Sequence, residues 1–217
     1  MFVPGCARES WSPESLMDLG VCDPDAGTFT TEIDNPYLPF PVGQRNELQG
    51  SGFLVRVSVL DEVETVAGVA TRVVEEYEAI DGRVVEISRN YFAQAEDGTV
   101  CYFGEEVDIY DENGDVTSHA GAWSADGETN VPGIFMPGRP QLGQAFQQEL
   151  APGVAEDQAE VVALGERTEV PAGTFEDTVT MVDYNPLDGT RDTKVYARGV
   201  GLIVDEAAEL TAFVSTA

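Results

Sequence analysis

The chain predicts an all-β protein, a strongly curved antiparallel meander sheet or barrel, and three observations carry that prediction. Short runs rich in β-branched and aromatic residues recur from Phe53 to Val204. Turn signals separate them at Ala67-Gly68, Asp81-Gly82, Asp97-Gly98, Asn113-Gly114, Pro152-Gly153, Ala172-Gly173 and Leu187-Asp188-Gly189. Connections this short force antiparallel neighbours, because a parallel crossover needs a dozen or more residues. One short N-terminal helix and one long Pro/Gly-rich loop complete the expectation. No composition break divides the chain, so residues 1–28 read as an N-terminal arm and 29–217 as a single antiparallel β domain. A chain of 217 residues can bury roughly 70% of its unfolded surface without metals or staples.

In the arm, Ser12-Pro13-Glu14 supplies an N-cap and first-turn proline and Gly20 a terminator, which predicts a brief helix around Leu16, Met17 and Leu19. Phe29 to Gly43 carries Asn35-Pro36, Pro39 and Pro41 and reads as an extended lead-in. Strands are then expected at Phe53 to Leu60, Val69 to Ile80, Val84 to Phe92, Thr99 to Phe103 and Val107 to Tyr110. After the loop they resume at Ala145 to Leu150, Ala159 to Leu164, Arg167 to Val170, Thr178 to Tyr184, Thr193 to Ala197 and Gly201 to Val204. If Ile80-Asp81-Gly82 is a three-residue loop, Val73, Glu75 and Tyr77 share a core-side face with Ile87, Arg89 and Tyr91. A two-residue loop instead puts Glu75 and Arg89 outside. The segment from Gly121 to Gly143 breaks the strand pattern with three prolines around Ile134, Phe135 and Met136, and predicts a long loop that either caps a cavity or plugs the sheet.

The stretch from Arg89 to Trp123 concentrates the chemistry, holding the only histidine and six aromatics. A type I′ turn at Asn113-Gly114 pairs Glu112 with Asp115, Tyr110 with Thr117, and Asp108 with His119. The candidate catalytic pair is therefore His119 with Asp108, a general acid/base arrangement whose bland counterpart is a histidine capping a hairpin. The candidate ligand-binding residues are Glu75, Arg89, Tyr91, Tyr102, Glu106, Tyr110, Trp123, Phe135 and Met136.

Composition and motifs exclude more than they assign. Forty acidic against 11 basic residues, with Lys194 the only lysine, give a net charge of −29. That disfavours nucleic acid and anionic membranes as partners and suits a solvated acidic surface. No run of 18 apolar residues spans a bilayer. With one imidazole, zinc and iron centres built on several histidines are excluded. Ser118 points away from His119, there is no G-x-S-x-G elbow, no phosphate loop with its lysine, and no EF-hand glutamate after DENGD. No metal and no cofactor is expected. Three cysteines leave Cys6 lipidated, bridged to Cys22 or free. A Cys6–Cys22 bridge would stabilise by roughly 3 kcal/mol and would leave Cys101 unpaired in a strand.

The segments PYLPFPVG, YFAQ, YFGEEVDIY, SHAGAW, PGIFMP, PGVAEDQAEV, VPAGTF and VYARGVGLI resemble an uncharacterised family of bacterial secreted or lipoprotein-like β-proteins over Ile33 to Asp205. The VPAGTF and GVGL pair is distantly similar to half-barrel envelope proteins of the LolA and LppX type. The resemblance implies an extracellular or cell-envelope location and a concave sheet holding a lipid or other apolar ligand. The family pattern would carry an aromatic at Asn46, tryptophan at Cys101, glutamate at Ala120, serine at Ala122 and arginine at Gln147. These departures remove polar or stacking groups.

Taken together, the expectation is a secreted or envelope-associated barrel-like protein that binds a small apolar or amphipathic ligand, with a polar cluster around His119. Two alternatives stand beside it: a lyase, isomerase or hydrolase using His119 and nearby carboxylates, and a non-binding structural surface protein. Oligomeric state is not legible.

Overall fold

The computed structural model describes residues 16–215, and among them regular structure is almost entirely strand. The strands are β1 (Phe29–Thr30), β2 (Arg45–Gly50), β3 (Phe53–Val66), β4 (Val69–Ile80), β5 (Arg83–Ala95), β6 (Val100–Tyr110), β7 (Val116–Ser118) and β8 (Trp123–Ser124). There follow β9 (Val131–Met136), β10 (Ala145–Gln147), β11 (Glu149–Leu150), β12 (Gln158–Val170), β13 (Gly173–Tyr184), β14 (Arg191–Ala197), β15 (Gly201–Asp205) and β16 (Ala208–Val214).

Every ladder is antiparallel, and the pairing follows two meanders. One runs β2-β3-β4-β5-β6 and the other β12-β13-β14-β15-β16, joined where β16 pairs with β2. The far edges are joined by a single segment: β10 pairs with β12, β11 pairs with β9, and β9 pairs with β6. Only Gln148 separates β10 from β11. The Gln147 amide donates to the carbonyls of Glu149 and Glu156, each at 2.6 Å, and so holds this break in place. The sheet is thereby almost closed into a barrel, which leaves few unpaired edges.

Several strands are longer than expected. Thr99 to Phe103 and Val107 to Tyr110 fuse into β6, and the two runs after Ala159 fuse into β12, because bulges absorb the irregular residues without ending the ladder. The expected Gly121 to Gly143 loop contains β8 and β9. Ile134 there pairs with Cys101 and Met136 with Val100, and the apolar trio becomes a stave of the wall. Strand β2, RNELQG, carries too many polar residues to stand out in the sequence, and β16 lies outside the expected strands.

The predicted arm helix is not formed over its described part. Leu16 bridges to Ala145, and only a 3-10 turn, Leu19–Cys22, follows, with Asp18 accepting from the Gly20 amide at 2.9 Å. Four residues with a mid-segment glycine do not sustain an α-helix. Ser12, Pro13, Glu14 and Cys6 lie outside the described residues. The cysteine expectation is also corrected, since Cys22 bridges Cys101 with a Cα separation of 5.6 Å. Cys101 is therefore no leftover thiol, and the bridge fastens the arm onto β6 across 79 positions. Asn35, fully buried, fixes the lead-in by donating to the carbonyls of Gly98 and Pro137, while its oxygen accepts from the Tyr37 amide.

The β4–β5 hairpin closes with two residues, Asp81 and Gly82, at φ 51° and 78°, the type I′ geometry. Glu75 then pairs directly with Arg89. The core-side alternative for these two is overturned: they project from the opposite face to Glu76 and Asn90, which line the lumen. The β6–β7 hairpin does not have the expected turn at Asn113-Gly114. The Asp111 carboxylate accepts from the amides of Asn113 (2.8 Å) and Asp115 (3.0 Å), the Gly114 amide donates to the Asp111 carbonyl, and only Gly114 is left-handed. A local side-chain turn initiator outcompetes the type I′ loop. Tyr110 accordingly pairs with Val116 instead of Thr117, and a bulge restores the Ile109–Ser118 pair.

Candidate functional site

The wall formed by β4, β5 and β6 has two chemically different faces. Directly paired residues share a face, so Arg89 with Glu106, Ile87 with Asp108, and Tyr91 with Gly104 define the outer one. Ser88 with Val107, Asn90 with Glu105, and Phe92 with Tyr102 define the inner one.

Outside, two adjoining hollows hold five of the sequence-predicted residues. Arg89, Tyr91 and Glu106, with Glu64 and Thr65 of β3, line one of about 550 Å³. Arg89, Glu106, Asp108 and His119 line the second, of about 240 Å³. Gly104 makes this possible: at φ 144° it lets β8 approach so closely that a Cβ there would stand 2.6 Å from the Trp123 carbonyl. Asp108 and His119 meet at 3.0 Å, and the same Nδ1 lies 2.7 Å from the Val107 carbonyl. Two oxygens around Nδ1 place the proton there and leave Nε2 as the basic atom. The pair is exposed, 69% for His119 and 44% for Asp108, so water competes for it. Arg89 is ion-paired to Glu62. The Tyr91 hydroxyl bonds to Glu106, and burial together with that carboxylate pushes its pKa up to about 12. Glu75 stands beside Arg89 on the ladder and Tyr110 lies near the hairpin end, and neither lines these two hollows.

The remaining predicted residues belong to the interior. Tyr102 stacks on Phe92 at 4.7 Å and its hydroxyl bonds to Asn90. Phe135 meets Phe92 at 5.0 Å and Tyr102 at 5.4 Å. Trp123 pairs with Glu105 on β6, and so shares the inner face and stands edge-on to Tyr102 at 5.4 Å. Met136 is fully buried core.

Inside the barrel lies a cavity of about 60 Å³ that sequence reasoning missed. Its apolar lining is Leu38, Phe40, Val57, Val74, Phe92, Phe135 and Leu202, and its polar lining is Gln44, Asn46, Glu76, Asn90, Lys194 and Tyr196. Strands β4 and β14 stand five places apart in the sheet, so Glu76 and Lys194 reach this cavity from opposite parts of the wall. Gln44 and Asn46 are 5% and 3% exposed. Both spend their amide hydrogens on backbone carbonyls, with Asn46 donating to Val200 at 2.8 Å and Gln44 donating to Pro39 and Val200 at 3.1 Å. Both amide oxygens are buried without a partner.

Several titratable groups of this wall are strongly displaced, and two of them, Glu76 and Lys194, line the cavity. Burial pushes Glu76 up to about 7, with Asp205 adding and Lys194 opposing. Burial and Glu76 push Glu78 up to about 8, and burial raises Glu105 to about 8 against the opposing hydrogen bond from Tyr102. Asp157 rises to about 6 through burial and Asp183. Burial disfavours the Lys194 ammonium, yet Asp205 and Asp183, the latter 3.3 Å away, hold its pKa well above the ordinary lysine range. Lys194 is thus an ion-pair partner inside the wall. Among the described residues no group of three or more His, Cys, Asp and Glu side chains is arranged to hold a metal ion. The available signal for this site was a set of charged residues inside otherwise apolar strands: Glu76 and Glu78 in VVEEYEAI, Asp183 in VTMVDY, and the chain's one lysine in TKVY.

No family model, no curated protein and no solved structure matches this chain.

Proposed function

We propose that this is a small-molecule-binding barrel whose ligand places a hydrogen-bond-donating head in the interior cavity, against Gln44 and Asn46, and an apolar body against Phe40, Phe92 and Phe135. The observation that carries this reading is the pair of partnerless amide oxygens on an aromatic-lined cavity. A buried unpaired acceptor costs about 1–3 kcal/mol, which a donor on the ligand recovers. The Cys22–Cys101 bridge supports an extracellular or cell-envelope location, because disulfides persist in oxidising compartments. Kinship with the envelope half-barrels is part of the same proposal, with the difference that a cavity this small suits a compact ligand or the head of a longer one.

The test uses benzamide, benzyl alcohol and toluene as probes of decreasing donor capacity, followed through the side-chain amide signals of Gln44 and Asn46 in nitrogen-edited NMR. Benzamide is expected to move those signals most and toluene least, and Asn46→Leu to abolish the effect. Equal responses to all three, or none, sink the reading and leave a water-filled structural barrel.

The enzyme reading has one observation in its favour. Asp108 and the Val107 carbonyl fix the His119 tautomer, as an orienting group does for a general base.

A further inference from the structure

Three groups with acceptor capacity line the interior cavity. Gln44 and Asn46, both more than nine-tenths buried, each keep an unpartnered amide oxygen, and Glu76 adds a carboxylate. Glu78 hydrogen-bonds to that carboxylate, but a carboxylate has about four acceptor positions and so keeps capacity for a ligand. The donors of the lining are already engaged. The amides of Gln44, Asn46 and Asn90 donate within the protein, and the Lys194 ammonium meets Asp183 at 3.3 Å, with Asp205 as its ladder partner.

Charge adds to this demand. At Glu76 the repulsion from Asp205 outweighs the attraction of Lys194, so the chain's one lysine does not balance it. The other groups that act on or feel Glu76 are the carboxyls of Glu78, Glu86 and Glu105 and the phenols of Tyr102 and Tyr196, none of them a cation.

We propose that the head of the ligand is a protonated primary amine, an ammonium held by Gln44, Asn46 and Glu76, so that the barrel binds an amine with a compact apolar body. The assignment rests on the interior-binding reading and specifies its ligand class. An ammonium has three donors and no acceptor, which matches three acceptors and supplies the missing charge. A hydroxyl brings one donor, a guanidinium brings five, and a carboxylate or phosphate brings none against a site that is already acidic. A water needs roughly 10–15 Å³, so an ammonium of similar size fits a cavity of about 60 Å³. Phe40, Phe92 and Phe135 line the same cavity, and aromatic faces attract a cation.

The test follows the Gln44 and Asn46 side-chain amide signals during titration with benzylamine, benzamide and benzyltrimethylammonium, in molar salt that screens the acidic surface. At about pH 8 benzylamine is expected to bind about tenfold more tightly than benzamide, because hydrogen bonds to charged groups are the stronger ones. Benzyltrimethylammonium carries the charge without an N–H and should bind least. Lowering the pH to about 5, where benzylamine stays protonated but Glu76, displaced to about 7, loses its charge, should remove the preference for benzylamine. Glu76→Gln should remove it at pH 8 as well, and the pH series on the unaltered protein carries the test should that variant fold poorly. Equal or tighter binding of benzamide at pH 8 overturns the assignment and leaves the interior-binding reading standing. So does a preference for benzylamine that survives both low pH and Glu76→Gln, or tightest binding by benzyltrimethylammonium. If neither benzylamine nor benzamide moves the amide signals, the assignment falls together with the reading beneath it.

Discussion

The two faces of the β4–β6 wall differ in how water treats their charges. On the outer face Glu106, Asp108 and His119 reach water, as does the end of Arg89, and their ion pairs are exposed. Inside, Glu76, Glu78, Glu105 and Lys194 have lost much of their water, and each ionisation depends on its neighbours. An ion pair outside decorates the fold, whereas one inside is a condition of it.

Four measurements break or sharpen that contrast. The largest effect is expected from the bridge that anchors the arm to this wall. Closing a loop of 79 residues is worth about 4–5 kcal/mol on a chain-entropy basis, so Cys22→Ser should lower the urea-unfolding free energy by that order. A loss under about 1 kcal/mol would mean that the arm is held by packing alone.

Next comes Lys194→Met, which strands Asp183 and Asp205 without their cation and should cost about 3 kcal/mol in the same melts. Arg89→Met, the same kind of change on the outer face, should cost under about 1 kcal/mol. Equal losses would erase the distinction between the faces.

The third is pH. Glu76, Glu78, Glu105 and Asp157 have folded values near 7, 8, 8 and 6, above their ordinary values of 4.5 or, for Asp157, 3.8. The folded state thus holds more protons than the unfolded one between those limits, and stability falls as pH rises. This contribution is complete below about pH 4 and lost by about pH 8. Self-repulsion of the acidic surface acts in the same direction but is screened in molar salt, where the Debye length is about 3 Å. The melting temperature should therefore still fall from pH 5 to pH 8 in molar salt, and fall less in Glu78→Gln. A salt-abolished slope would assign the whole effect to the surface.

The smallest change is His119→Ala, expected to alter stability by under about 1 kcal/mol because the pair with Asp108 is exposed. A larger loss would make the histidine a structural cap of the hairpin.

Sequence patterns of two-residue period identified β3, β4, β5 and most of the second meander, since those strands present β-branched residues in alternation. They also brought Asp108 and His119 together, because a bulge at Thr117 compensated for the wrong turn. Other features were hidden by local composition: β2 is polar, and β9 sits among prolines and glycines. Both Cys101 and Asn46 depart from the expected family pattern, and one became half of the disulfide while the other became half of the interior acceptor pair.

By itself, then, the amino-acid order determined the all-antiparallel class, the hairpin positions and the local neighbours across short turns, because those depend on propensity, periodicity and turn chemistry over a few residues. Only the tertiary structure decided closure by the segment around Gln148, the pairing of Cys22 with Cys101, and the meeting of Glu76 and Lys194 at one cavity. The physical reason is that a strand's two faces are equivalent until the sheet curves. Which face becomes lumen, and so which charges lose their water, is set by contacts between strands far apart in the chain.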